Sequence, residues 1–104
     1  MQRQEHDVVN PADTSDVVGR VAFALPRDAR EAARRSTSAA KSWRAISVEQ
    51  RAEILERAAD AVQDNMAPLI SLAIREAGKS AANAVGEVRE AIDFLRYYAV
   101  QARE

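Results

Sequence analysis

A chain of 104 residues is one domain at most, or a piece of a larger one. Its 15 Lys and Arg against 16 Asp and Glu leave a formal charge of −1, with no basic footprint for nucleic acid and no acidic tail. It has no cysteine, so disulfides, thiolate metal sites and cysteine nucleophiles are excluded within these residues. Alanine is the commonest apolar residue, and a buried alanine removes far less area from water than a leucine or phenylalanine. A core built this way is thin and calls for a partner surface, from another domain or another copy.

Met1-Gln-Arg-Gln-Glu-His-Asp7 is polar and lacks the apolar centre of a signal peptide. No apolar run approaches the roughly 20 residues that span a bilayer. The expected location is cytoplasmic, and residues 1–6 are expected to be a disordered tail. Asp7 to Asn10 and Val17 to Phe23 are β-branched runs on either side of turn chemistry, Asn10-Pro-Ala-Asp-Thr-Ser15. They predict two short strands, the second kinked or bulged at Gly19. A lone two-stranded ribbon is marginal in water, so these strands are expected to need something outside the chain to lie against.

Leu25-Pro26 opens the first predicted helix, because proline in a first turn lacks only an N–H that would be unpaired anyway. Ala29, Ala32, Ala33, Ala39, Ala40 and Trp43 recur at helical spacing. Arg27, Glu31 and Arg35 are spaced as i,i+4 pairs, and Ser36-Thr-Ser38 predicts fraying in the middle. Ser47-Val-Glu-Gln50 is a capping box for a second helix with the stripe Ala52, Leu55, Ala59 and Val62, widened by Ile54, Ala58 and Ala61. Asn65 is expected to cap a third helix, with Pro68 in its first turn and Met66, Leu69, Ile70, Ala73, Ile74 and Ala77 as its apolar side. Gly78 predicts a left-handed helix stop, Lys79 follows it, and Ser80 caps a fourth helix. That helix carries Ala81, Ala84, Val85, Val88, Ala91, Ile92, Leu95, Tyr98, Ala99 and Ala102 at spacings of three and four. The fold class expected is mainly α: a short β-hairpin followed by four helices.

Few residues offer chemistry. His6 is the one histidine, with no second His or Cys to build a metal site. Gly78-Lys79-Ser80 echoes the end of a phosphate-binding loop, but Ala73 stands where the first glycine belongs and the glycine ends a helix. Phe94, Tyr97 and Tyr98 beside Arg96 could stack on bases, but helical spacing without a basic groove makes them half-buried helix residues. Glu90 and Asp93 alternate with Arg89 and Arg96, which reads as a salt-bridged wet face. Glu87 differs in bordering the apolar stripe through Val88. The alanine-lined helices also fit a free-standing interaction module that docks by a helix face.

Several segments together resemble the N-terminal region of the aldehyde dehydrogenase superfamily. They are Asn10-Pro-Ala-Asp13, Asp16-Val-Val-Gly-Arg-Val21, Trp43, Arg51-Ala-Glu-Ile-Leu-Glu-Arg-Ala-Ala-Asp60, Arg75-Glu-Ala-Gly-Lys79 and Glu87-Val-Arg-Glu-Ala-Ile-Asp-Phe-Leu-Arg-Tyr-Tyr-Ala99. The last is narrower: it is similar to the L-glutamate γ-semialdehyde (pyrroline-5-carboxylate) dehydrogenase module of bifunctional proline utilization A proteins. The resemblance implies that residues 7–104 are the N-terminal segment of an incomplete aldehyde dehydrogenase domain. It implies NAD-dependent oxidation of the semialdehyde to glutamate, the second step of proline breakdown, by a cysteine nucleophile with an oxyanion hole.

The nucleophile, the cofactor motifs and the general base are expected beyond Glu104, and the proline-oxidising domain that precedes this region in the bifunctional proteins is not expected within these residues. On this reading the chain is a truncated piece, inert alone, that binds no NAD by itself. Its partners are the missing cofactor-binding and catalytic domains, and the parent is a homo-oligomer acting on a small aldehyde. The resemblance also implies that Glu87 lies at the aldehyde end of the substrate pocket. The alternatives are a free-standing helical interaction module, a fragment of another aldehyde dehydrogenase subfamily, and an enzyme completed by a second chain.

Overall fold

The computed structural model describes residues 4–104. Two strands, β1 (Glu5–Asn10) and β2 (Asp13–Ala22), form an antiparallel hairpin. Four helices follow: α1 (Pro26–Ala45), α2 (Val48–Asp64), α3 (Met66–Ala77) and α4 (Ala81–Arg103). This is the expected class. Of the residues 1–6 expected as a tail, Glu5 and His6 instead pair with Ala22 and Val21 in the hairpin. Residues 1–3 lie outside the described residues.

β2 begins at Asp13 rather than Val17, since Asn10 pairs with Asp13 directly across the turn. The bulge falls at Val18: Val8 faces Gly19 and Val9 faces Val17, which leaves Val18 without an opposite. Alternation then places Val8, Asn10, Asp16, Val18 and Val21 on the half-buried face of the hairpin. That face lies against α3, so the surface expected outside the chain is supplied partly from within it.

The helix limits follow from local chemistry. The Asp28 carboxylate accepts from the Leu25 N–H at 2.8 Å, and Pro26 occupies the first helical turn. Ser36 and Thr37 return their hydroxyls to the carbonyls of Ala32 and Ala33, so α1 runs unbroken where fraying was expected. At α2 the capping box closes both ways: the Gln50 N–H donates to Ser47 Oγ at 3.1 Å, and the Ser47 N–H donates to Gln50 Oε1 at 3.4 Å. Asn65 does not cap α3. Its amide donates back to the Ala61 carbonyl at 2.8 Å and so closes the end of α2 instead.

α2 and α4 run antiparallel and form the main packing pair, with α3 against α4. Ala52 and Ala59 on α2 and Ala84 and Ala99 on α4 are fully buried; Val88 and Ile92 complete the core. Small side chains at these positions let the helix backbones come close, and Val62, Met66, Leu69, Ile70 and Leu95 pack around them. The buried line of α4 is therefore Ala84, Val88, Ile92 and Ala99, narrower than the expected stripe, with Val85, Ala91, Tyr98 and Ala102 exposed.

Arg103 ties the two helices at one end, pairing with Glu49 at 2.8 Å and Glu56 at 2.6 Å. α1 buries none of its residues, and its backbone comes close to no other element among the described residues. The principal extents are 48 × 41 × 16 Å and the radius of gyration is 17.8 Å. A compact chain of this length would have a radius of gyration near about 13 Å. The molecule is a thin layer with a projecting helix, not a sphere.

Candidate functional site

The junction of α3 and α4 brings together the residues with chemical potential. α3 ends where the Gly78 N–H donates to the Ile74 carbonyl at 3.0 Å, and Gly78 takes the left-handed conformation (φ 64°, ψ 28°). Glycine is required there twice over. Its φ strains any side chain, and a Cβ would stand 2.9 Å from Cγ of Pro11, the tip of the hairpin turn. Lys79 follows, half-buried, and Ser80 restarts the helix by accepting from the Asn83 N–H at 3.2 Å.

Glu87, nearly two turns into α4, forms an ion pair with Lys79. Its side chain is 51% exposed and that of Lys79 33%. The pair sits in a shallow groove whose floor is opened by the small residues Ala82 and Gly86 and whose rim includes Asn83 and Glu90. This face of α4 is opposite the buried line through Ala84 and Val88. An ammonium and a carboxylate side by side in an open groove can bind a polar small molecule that carries both charges.

The hairpin supports this junction. Arg75, in the last turn of α3, donates to both carboxylate oxygens of Asp16, from Nη2 at 2.6 Å and from Nε at 3.1 Å. Asn10 donates its side-chain N–H to the same carboxylate at 3.2 Å. The Arg75 guanidinium first, and the Asn10 amide second, hold the Asp16 carboxyl below its ordinary value of 3.8.

The other candidates fall elsewhere. The charges on α4 do not form the expected local ladder. Arg96 reaches across to Asp60 at 3.1 Å and Gln63 at 3.0 Å on α2, because the antiparallel packing brings those groups within its span. His6 packs its ring on Phe23, centroids 5.1 Å apart, and no group of metal-binding side chains occurs among the described residues. Gly78 closes a helix and the Lys79 ammonium is engaged by Glu87, neither of which suits a phosphate-binding loop.

Phe94, Tyr97 and Tyr98 are more than half exposed, not half-buried. Phe94 and Tyr98 stack with centroids 6.0 Å apart. With Leu55, Ala91 and Leu95 they line an apolar hollow, and Leu55 joins it to a second one under Trp43, Val48, Ile54 and Ala102. Arg51 lines the second hollow, and its Nε is enclosed with no hydrogen-bond partner among the described residues. Sequence reasoning missed the Asp16–Arg75 pair and the Arg103 clamp. Their partners lie 59, 54 and 47 residues apart, and no local pattern marks such a pairing.

The described residues thus form a helical layer entered through a β-hairpin, with apolar hollows beside Phe94 and Trp43 and a charged groove at a helix junction. The sequence matches the aldehyde dehydrogenase family over residues 1–104, and the chain belongs to that family. It is 46% identical over 97 residues to the bifunctional protein PutA of Escherichia coli strain K12, covering 93% of this chain and 7% of that protein. It is 50% identical over 97 residues to the bifunctional protein PutA of Rhizobium meliloti, covering 92% of this chain and 8% of that one. Against the 1-pyrroline-5-carboxylate dehydrogenase 2 of Bacillus subtilis strain 168 the identity is 42% over 96 residues, covering 92% and 19%.

The fold superposes on the crystal structure of proline utilization A from Bdellovibrio bacteriovorus inactivated by N-propargylglycine, with a TM-score of 0.93 and 36% identity. That match covers 96% of this chain and 10% of the other. The chain thus spans 7–19% of the length of these relatives.

Proposed function

We propose that the chain is a segment of an NAD-dependent L-glutamate γ-semialdehyde dehydrogenase, and that its part in the reaction is to present Glu87, steadied by Lys79, to the substrate. The observation that carries the family reading is the likeness to PutA and pyrroline-5-carboxylate dehydrogenases over 92–93% of the chain. The observation that supports the site is the Lys79–Glu87 pair in an open groove at the α3–α4 junction.

The substrate carries an amino group and a carboxylate as well as its aldehyde. Glu87 beside Lys79 offers a charged contact at the aldehyde end of that molecule without supplying the nucleophile. The thiolate of that chemistry must come from other residues, because these 104 contain no cysteine. The chain alone turns over no aldehyde and binds no NAD. The exposed apolar hollows under Trp43 and Tyr98 are the side that meets the cofactor-binding and catalytic parts of the enzyme.

In an enzyme of parental length carrying this segment, Glu87→Gln is expected to raise KM for the semialdehyde roughly tenfold or more, the effect of losing one charge-assisted hydrogen bond. Unchanged KM and kcat would remove Glu87 from the site. The purified 104-residue chain is expected to show no NADH formation with semialdehyde and NAD, and measurable turnover would refute its inertness.

A further inference from the structure

We infer that the hairpin turn and the Asp16–Arg75 pair form a positioning latch for Lys79 and Glu87. The inference rests on the substrate-side reading of Glu87. The latch is a closed chain of contacts. The Asn10 side chain accepts from the Ala12 N–H at 3.0 Å, which shapes the turn, and donates to Asp16 at 3.2 Å, which ties the turn to the ion pair. Asp16 takes both Arg75 donors side-on, a geometry that fixes orientation as well as distance. Arg75 stands three residues before Gly78, and Pro11 of the same turn rests against Gly78.

Gly78 is the only described residue with positive φ, and its backbone sets the direction in which Lys79 leaves α3. Among the described residues no other polar bond runs from the hairpin to this junction: the second hairpin ion pair, Arg20 with Asp7, stays within the two strands. A glycine at a helix stop can swing. Here Pro11 stands over it, and the neighbouring Asn10 ties that turn to the Asp16–Arg75 pair. Asp16, Arg75 and Asn10 are therefore positioning residues, which act on Glu87 through Gly78 and Lys79.

Amide exchange on the full 104-residue chain tests the latch without any enzyme assay. Asp16→Asn is expected to speed exchange at Gly78 and Asn83 about tenfold, while amides around Ala59 in α2 stay within about twofold. No change at Gly78 and Asn83, or equal acceleration throughout, would overturn the latch. Arg75→Lys, which keeps the charge but loses the fork, is expected to give the same local pattern at smaller amplitude, and the exchanged pair Asp16→Arg with Arg75→Asp to restore protection.

In the parental-length enzyme, Asp16→Asn is expected to raise KM several-fold, with kcat within about twofold, and to add nothing on a Glu87→Gln background. Effects that simply multiply would overturn the coupling. A silent Glu87→Gln would defeat the substrate reading alone, since the exchange pattern judges the latch separately.

Discussion

At the residue scale, most of what matters at the junction is backbone chemistry. Gly78 is left-handed and faces Pro11, so Gly78→Ala combines dihedral strain with a steric clash. It is expected to lower stability by roughly 1–3 kcal/mol, read from the urea midpoint of the chain. Gly86→Ala meets nothing within 4 Å and lies inside a helix, so it is expected to hold or raise that midpoint. The contrast between the two glycines checks the helix-stop assignment. Gly78 was legible from its place after an apolar stripe and before Ser80. The nearness of Pro11 was not, because it comes from a turn 67 positions away in the chain.

At the element scale, caps and apolar spacing mark the helices well: the Ser47–Gln50 box, Ser80 at the start of α4, and the Ala52, Leu55, Ala59, Val62 stripe all stand where spacing puts them. Asn65 shows the limit. An asparagine between two helices can serve either, and here the Ala61 carbonyl, one turn back in α2, lies within its reach.

The α2–α4 pair carries a prediction about pH. Arg103 hydrogen-bonds Glu49 and Glu56 and holds both carboxyls below their ordinary value of 4.5, while its own pKa is raised. A carboxyl whose folded value is depressed favours the fold above the unfolded value and loses that contribution as pH falls through the folded one. Lowering pH from about 5 to 3 is therefore expected to reduce the urea midpoint more in the native chain than in Arg103→Gln. Equal losses would show that the clamp adds nothing beyond a solvated contact, since these groups are exposed and screened.

At the scale of the whole molecule, a layer 16 Å thick cannot bury large side chains on both faces. The core is accordingly alanine, valine and isoleucine, and Phe94, Tyr98 and Trp43 stay at the surface. If these rings meet the rest of the enzyme, Phe94→Ser with Tyr98→Ser is expected to leave the melting temperature of the 104-residue chain nearly unchanged. The same pair in the parental-length protein is expected to lower it by several degrees, because there each ring is removed from water. Thermal unfolding of both proteins decides this, and an equal effect in the two would locate the rings in the chain's own core.

Residues no more than four apart contain the instructions for where each helix begins and ends, because a cap or a stripe is a contact between near neighbours. The resemblance was legible in the same way, from short runs such as Arg75 to Lys79 and Glu87 to Ala99. Which face of α4 is buried, which carboxylate Arg96 and Arg103 reach, and what holds Gly78 in place depend on segments 33 to 67 residues apart. Those pairings exist only once α2 and α4 lie antiparallel and the hairpin has come to rest on α3. Glu87 was singled out by likeness, but its lysine partner and its exposed groove come from the way Gly78 turns the chain under Pro11.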